Sequence, residues 1–225
     1  TIIINAEVYQ AGELQPNVIH LDNQGLIASI TSSKETVIGG DCQIIDANGL
    51  VILPGMIDIH AHMQDGAETF FTGTCSAARG GVTTVIDMPP FQTVIDAKSA
   101  EKRVAMGERD CVVDFGLTGG IIINDEDLIR LDELKDFGIS QFKLFMLSRP
   151  PAALVWRAVQ KAAETGIRIS VHAEEPAILS PVDWGDPMGF PKANPAAAEN
   201  VATAQVLEMA RAAGAPIHIC HVSSA

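Results

Sequence analysis

The chain has 225 residues, 47% of them hydrophobic and 19% charged, with a formal net charge of −13 and a pI ≈ 4.7. That balance supports a sizeable core, and it excludes disorder and the basic face that nucleic acid or an anionic membrane surface demands. No apolar stretch reaches the roughly 20 residues of a bilayer span, and no signal-peptide pattern opens the chain, which starts at Thr1 and is expected to be trimmed there.

Residues 1–50 carry short β-type runs: Ile2-Ile3-Ile4, Val18-Ile19-His20-Leu21, Leu26-Ile27-Ala28-Ser29-Ile30 and Gln43-Ile44-Ile45-Asp46. Turn signals at Asp22-Asn23-Gln24-Gly25 and Gly39-Gly40-Asp41 separate them. They predict a small antiparallel β-domain over 1–50, closed by Asn48-Gly49. The texture changes at Leu50. Strands are expected at 55–62, 84–88, 112–117, 141–146, 167–173 and 217–222, with helices near 70–80, 98–108, 125–136, 152–165 and 195–213. Asn194 is the expected N-cap of the last helix, with Pro195 in its first position. Gly166 and Gly214 are expected to stop the last two helices.

Alternating strands and helices over 51–225 predict an α/β domain with a parallel sheet and helices outside. The glycine-rich phosphate loop of a doubly wound sheet is absent. Instead, polar residues end several strands, where a (β/α)8 TIM barrel keeps its catalytic groups. A barrel has eight units and takes ~250 residues. About six units fit here, so the last two are expected to lie beyond Ala225. The exposed edges of the first and sixth strands would then seek partners. The four cysteines, Cys42, Cys75, Cys111 and Cys220, are scattered and form no CxxC. They read as reduced, small, buried hydrophobes of a cytoplasmic protein.

Chemistry enters at the strand ends. In Gly55-Met56-Ile57-Asp58-Ile59-His60-Ala61-His62, alternation puts His60 and His62 on one face with Asp58 behind them. Two imidazoles one pleat apart can chelate one metal ion. Such a pair is sparse by chance in a chain with six histidines. Val171-His172-Ala173-Glu174 and Ile217-His218-Ile219-Cys220-His221 bring histidines to two further strand ends. By alternation His221 shares a face with Ile217 and Ile219, which leaves His218 on the other side in a structural role. Lys143 sits within the apolar run Gln141-Phe142-Lys143-Leu144-Phe145-Met146, a costly place for a charge. It reads as a salt-bridged core lysine or as a lysine carbamate, whose two oxygens can bridge two cations.

These segments resemble the cyclic amidohydrolases: dihydroorotase, allantoinase, dihydropyrimidinase and hydantoinase. The resemblance runs through the β-domain, Pro54 to His62, Gly80-Gly81-Val82-Thr83-Thr84 leading to Asp87-Met88-Pro89, the Lys143 strand, His172-Ala173-Glu174, Pro195 to Glu199 and His221-Val222-Ser223-Ser224. It implies a composite β-sandwich to which residues 1–50 contribute. It implies two divalent metal ions, zinc by default. His60 and His62 would hold the more buried ion and His172 and His221 the more exposed one. Lys143, carboxylated by carbon dioxide, would bridge them. It implies hydrolysis of a cyclic amide C–N bond by a hydroxide bridging the metals. The resemblance implies a proton carried by an aspartate after the eighth strand, so no catalytic base is assigned within this chain and the 225 residues alone are expected to be inactive. Asp58 suits orientation of the ligands. The expected partners are a small cyclic amide and further copies in a dimer or tetramer.

Departures from the family narrow the substrate. Where similar dihydroorotases place an arginine for the substrate carboxylate, this chain has Gln64, and a neutral amide cannot replace a bidentate charged fork. Pro90 stands where they carry Asn, and Ser148 stands where hydantoinases carry a substrate-contacting tyrosine. An allantoinase-like activity survives best, although Phe91 replaces a polar residue there; another cyclic ureide or imide is an equal alternative. Dihydroorotase is a less favoured reading. A non-catalytic scaffold relative is the reading from another class, opposed by the retained ligand set.

Overall fold

A computed structural model describes residues 1–33, 40, 42–64, 66, 68–89 and 93–224, so Gly39, Asp41, Pro90, Phe91 and Ala225 lie outside the described residues. The chain forms two compact units, Thr1–Gly55 and Met56–Ala225.

The first unit is one mixed sheet. Strands β1 (Ile2–Gln10), β2 (Glu13–Leu21) and β3 (Ile27–Ser32) pair antiparallel, while β4 (Ile44–Asp46) and β5 (Val51–Ile52) pair parallel with β1. The expectation of a wholly antiparallel domain ending at residue 50 therefore needs correcting. Glu7 N donates to Leu50 O and Val8 pairs with Ile52, which carries the sheet past the Asn48-Gly49 turn. The β1–β2 hairpin turns on Ala11 (φ 53°) and Gly12 (φ 93°). Two consecutive left-handed residues match the twist of the flanking strands. Ala6, Val8, Ile19 and Ala47 form its core.

The second unit is α/β with parallel strands throughout. One sheet runs β6 (Met56–Ala61), β7 (Val82–Asp87), β8 (Asp114–Leu117). The other runs β12 (Ile217–Ile219), β11 (Arg168–His172), β10 (Gln141–Phe145), β9 (Gly119–Ile121). The helices are α1 (Phe70–Arg79), α2 (Ala97–Asp110), α3 (Asp125–Phe137), α4 (Ala152–Thr165), a short α5 (Gly189–Ala193) and α6 (Ala196–Ala213). Thr69, Asp96 and Asn124 each close a capping box, giving the first turns of α1, α2 and α3 their missing acceptors. Gly166 and Gly214 end α4 and α6 in left-handed geometry, as expected.

Three details differ from the sequence reading. The third strand divides: β8 pairs with β7 and β9 with β10, and buried Thr118 alone lies between, donating its N–H to Asp87 O. Gly119 and Gly120 permit the break. A Cβ at Gly119 would meet Cδ1 of Phe142 at 2.2 Å, and one at Gly120 would meet Val94 O at 2.8 Å. Asn194 is not the N-cap of α6. It ends α5, its Nδ2 donating to Phe190 O, and Pro195 stands extended at the cap with no side-chain hydrogen bond. Finally, β12 stops at Ile219 rather than 222, because His221 turns left-handed at φ 35°.

Alternation along β10, β11 and β12 sorts the second unit. Phe142, Leu144, Ile169 and Val171 are fully buried with Val155 and Ala158 of α4 and Val206 of α6, and Ile217 and Ile219 pack on the same cluster. Each large side chain so buried contributes roughly 1.5–3 kcal/mol. The intervening residues, Lys143, Phe145, Ser170, His172 and His218, face the other way.

Gly119→Ala tests the joint between the two sheets. The ring it would strike is fully buried and has nowhere to go. Chemical denaturation is expected to show a loss of about 1–3 kcal/mol, with the unfolding slope unchanged.

Candidate metal centre

In-register pairing sets the first rows of the site. Lys143 is opposite Ser170, Phe145 opposite His172, and Ser170 opposite His218. Side chains on one sheet face in register are neighbours. The Phe145 and His172 rings lie 4.8 Å apart, and Ser170 Oγ is 3.3 Å from His218 Nδ1.

Four histidines then form a chain of neighbours. His60 Nε2 is 3.3 Å from His62 Nε2. The His60 ring is 5.4 Å from that of His221, which is 4.6 Å from that of His172. His221 reaches this group differently from the alternation argument. Ile217 and Ile219 face the helices, and His218 is the residue that shares a face with Lys143 and Ser170. The left-handed turn at His221 swings its ring back to the polar side. His218 stays with Ser170, outside the chain of four.

Burial biases these groups towards their neutral forms. It pushes the His60 imidazole down to about 4, with the positive charges of Lys143, His62, His221 and His218 acting in the same direction. Burial also lowers His172, against the raising effect of Glu174, whose Oε2 is 3.2 Å from His172 Nε2. Lys143 is only 7% exposed, and burial lowers its amine from the usual range. Its Nζ is 3.4 Å from Cys220 Sγ, and among the described residues it forms no ion pair, so the salt-bridged reading finds no support. Asp58 Oδ1 accepts from the His60 amide rather than from an imidazole. Gln64 is half-buried at φ 54°. Ser148 Oγ donates back to Phe145 O at 2.7 Å, within its own turn. Beside His221 a cavity of ≈ 300 Å³ is lined by Glu174, Phe190, Asn194, Glu199 and Ser223, but not by Gln64.

Two partners escaped the sequence reading. The sequence reads Cys220 as a plain hydrophobe, yet its sulfur lies 3.4 Å from Lys143 Nζ. Glu174 carries no role in the sequence reading beyond its place in the motif. Its place two residues after His172 at a strand end was the available signal.

The donor set fits divalent cations in part. Two nitrogens each about 2.0–2.1 Å from one tetrahedral ion sit about 3.3 Å apart, which is the His60–His62 separation. Among the described residues no group of three or more His, Cys, Asp or Glu side chains is arranged to hold a metal ion. The histidines come as pairs, and Lys143 adds a buried amine on the sheet face of Ser170 and His218.

Residues 49–225 match the family described as Dihydro-orotase-like. A dihydroorotase of Methanosarcina mazei is 30% identical over 99% of this chain and 51% of its own length. An allantoinase of Escherichia coli K12 is 29% identical over 94% of this chain and 53% of its own. The chain thus spans about half the length of the curated relatives it matches. Among solved structures, a 5-methylcytosine deaminase from Klebsiella pneumoniae superposes with a TM-score of 0.61 at 15% identity, covering 99% of this chain and 59% of that one. An atrazine chlorohydrolase from Arthrobacter aurescens, complexed with zinc, gives 0.58 at 15%, covering 98% and 60%. These likenesses concern the fold.

The depressed His60 has a consequence for the metal-free protein. An unfolded histidine protonates near 6.5, whereas folded His60 resists until about 4. Between those values the unfolded chain binds more protons, so stability falls as pH falls. Denaturation of metal-free protein is expected to show this loss from pH 6.5 to 4, and His60→Gln to flatten it.

Proposed function

Because the chain belongs to the dihydro-orotase-like family, we propose that the protein hydrolyses a C–N bond of a cyclic amide or ureide at a two-metal site. The observation that carries this reading is the convergence of His60, His62, His172 and His221 on the polar face occupied by Lys143. His60 and His62 would hold one ion, His172 and His221 the other, with zinc the default because imidazole suits it. The likeness to solved structures at the level of fold supports completion of the parallel strands into a (β/α)8 barrel, with the first unit part of a composite β-sandwich.

The bound ions would supply an acidified water and a polarised substrate carbonyl. The chain's own residues prepare for them. Burial keeps His60 neutral, so its lone pair is free to ligate. Glu174 engages Nε2 of His172, which leaves the other ring nitrogen available and sets the ring's orientation. Lys143, held towards its neutral form, can add its Nζ lone pair to the carbon of carbon dioxide. A proton leaves the nitrogen, and the carbamate formed presents two oxygens. The cavity beside His221 offers room for a small ring. Proton transfer to the leaving nitrogen is assigned to no residue of this chain.

Gln64 and Ser148 favour a neutral ureide of the allantoin type. A glutamine offers no charged fork to a substrate carboxylate, and the Ser148 hydroxyl is committed to Phe145 O. The competing reading is dihydroorotate. The dihydroorotase and allantoinase relatives match almost equally well, so sequence similarity does not decide it. Assays of the full-length protein on allantoin, hydantoin, dihydrouracil and dihydroorotate are expected to rank allantoin first. Preferential turnover of dihydroorotate would overturn the reading of Gln64.

Two measurements test the site itself. Metal analysis of His60→Ala and His62→Ala is expected to show loss of activity and of one of two metal equivalents, while His218→Ala keeps both. Metal-loaded protein in ¹³C-bicarbonate is expected to give a carbamate resonance that Lys143→Ala abolishes.

A further inference from the structure

Away from the four histidines, a closed ring of hydrogen bonds surrounds the residue that follows His62. Met63 N donates to Asp87 Oδ1 at 3.0 Å. Asp87 Oδ2 accepts from Arg103 Nε at 2.8 Å, and Arg103 Nη2 donates to Met63 O at 2.5 Å. Asp87 is fully buried, Met63 4% exposed and Arg103 7% exposed. The guanidinium lies 4.9 Å above the ring of Phe70, which is also fully buried. On the other side of His62, Ala61 O accepts from Met88 N at 2.7 Å. The residues before and after His62 are thus both bound to the end of β7, one through the backbone of Met88 and the other through the Asp87 side chain.

Simple charge neutralisation would need only the Arg103–Asp87 contact. Here the arginine uses a second nitrogen on the carbonyl of the same residue whose amide the aspartate holds. Only a planar fork reaches both at once; a lysine is a single point of charge. With both oxygens committed and no solvent access, Asp87 cannot serve as a proton acceptor for substrate.

We propose that Asp87 and Arg103 are positioning residues for the histidine pair: by locking the amide and the carbonyl of Met63, they hold His62 at ligand spacing from His60. This rests on the two-metal reading above. The clamp acts through backbone and touches neither metal nor substrate. The ring is almost wholly shielded from water.

Arg103→Lys keeps the charge and removes the fork. Zinc titrations of the full-length protein against graded chelators are expected to show one equivalent weakened about 10–100-fold and the other unchanged. Val159→Ala, a cavity variant in the core of α4, controls for lost stability and should bind both equivalents as wild type. If Arg103→Lys does not fold, the neutral double variant Asp87→Asn with Arg103→Gln replaces it, with the same expectation. Wild-type affinity at both sites in a folded clamp variant, or parallel loss at both, would overturn the proposal. Crystal structures of metal-free wild-type and variant proteins supply a readout independent of zinc: the His60–His62 separation should widen from 3.3 Å. If wild-type protein binds no zinc, the metal reading fails by itself, and an unchanged separation in the variant would still refute the clamp.

Discussion

The site depends on a buried amine that, among the described residues, has no carboxylate partner. Lys143 lies in a parallel strand whose neighbours at 142 and 144 are fully buried hydrophobes, and its contact is the sulfur of Cys220. Sulfur is a weak acceptor. An ammonium ion in such a place costs several kcal/mol, whereas a neutral amine costs far less. The fold therefore favours the uncharged, nucleophilic form. The same burial acts on His60 and His172. Three nitrogens are thereby biased towards their neutral, lone-pair-bearing forms, inside a chain of formal charge −13. That combination suits cations and resists protons.

Strand register turns this constraint into a site. Because β10, β11 and β12 pair parallel and in register, one face takes Lys143, Ser170 and His218 while the other sends Leu144, Val171 and Ile219 into the helices. A shift of one residue would exchange the faces and place Lys143 among the leucines and valines. The hydrophobic core therefore fixes the position of the lysine. His221 is the exception: it lies past the strand and arrives through a left-handed backbone that a non-glycine residue adopts at some cost.

Much of this was legible in the sequence because its signals are local. Apolar runs at period two marked β6, β7, β10 and β11. Glycines marked the ends of α4 and α6, and His-x-His marked the paired histidines at the end of β6. What escaped depends on distant contacts. The division of the third strand follows from Phe142 filling the space beside Gly119, twenty-three residues away by number. Asn194 had the chemistry of an N-cap, but α5 captured it first. Alternation placed His221 with the other histidines for a wrong reason, since no propensity announces a left-handed turn at histidine. Cys220 beside Lys143 and Arg103 beside Asp87 and Met63 join residues that only the folded chain brings together.

The central claim is that four histidines and one lysine on this face form a single two-metal centre. Anomalous diffraction from crystals of the full-length protein, collected at the absorption edge of the bound metal, tests it most directly. Two anomalous peaks are expected, one against His60 and His62 and one against His172 and His221, with continuous density beyond Nζ of Lys143 reaching both. Two peaks flanking an unmodified lysine, or a metal bound away from these histidines, would contradict it.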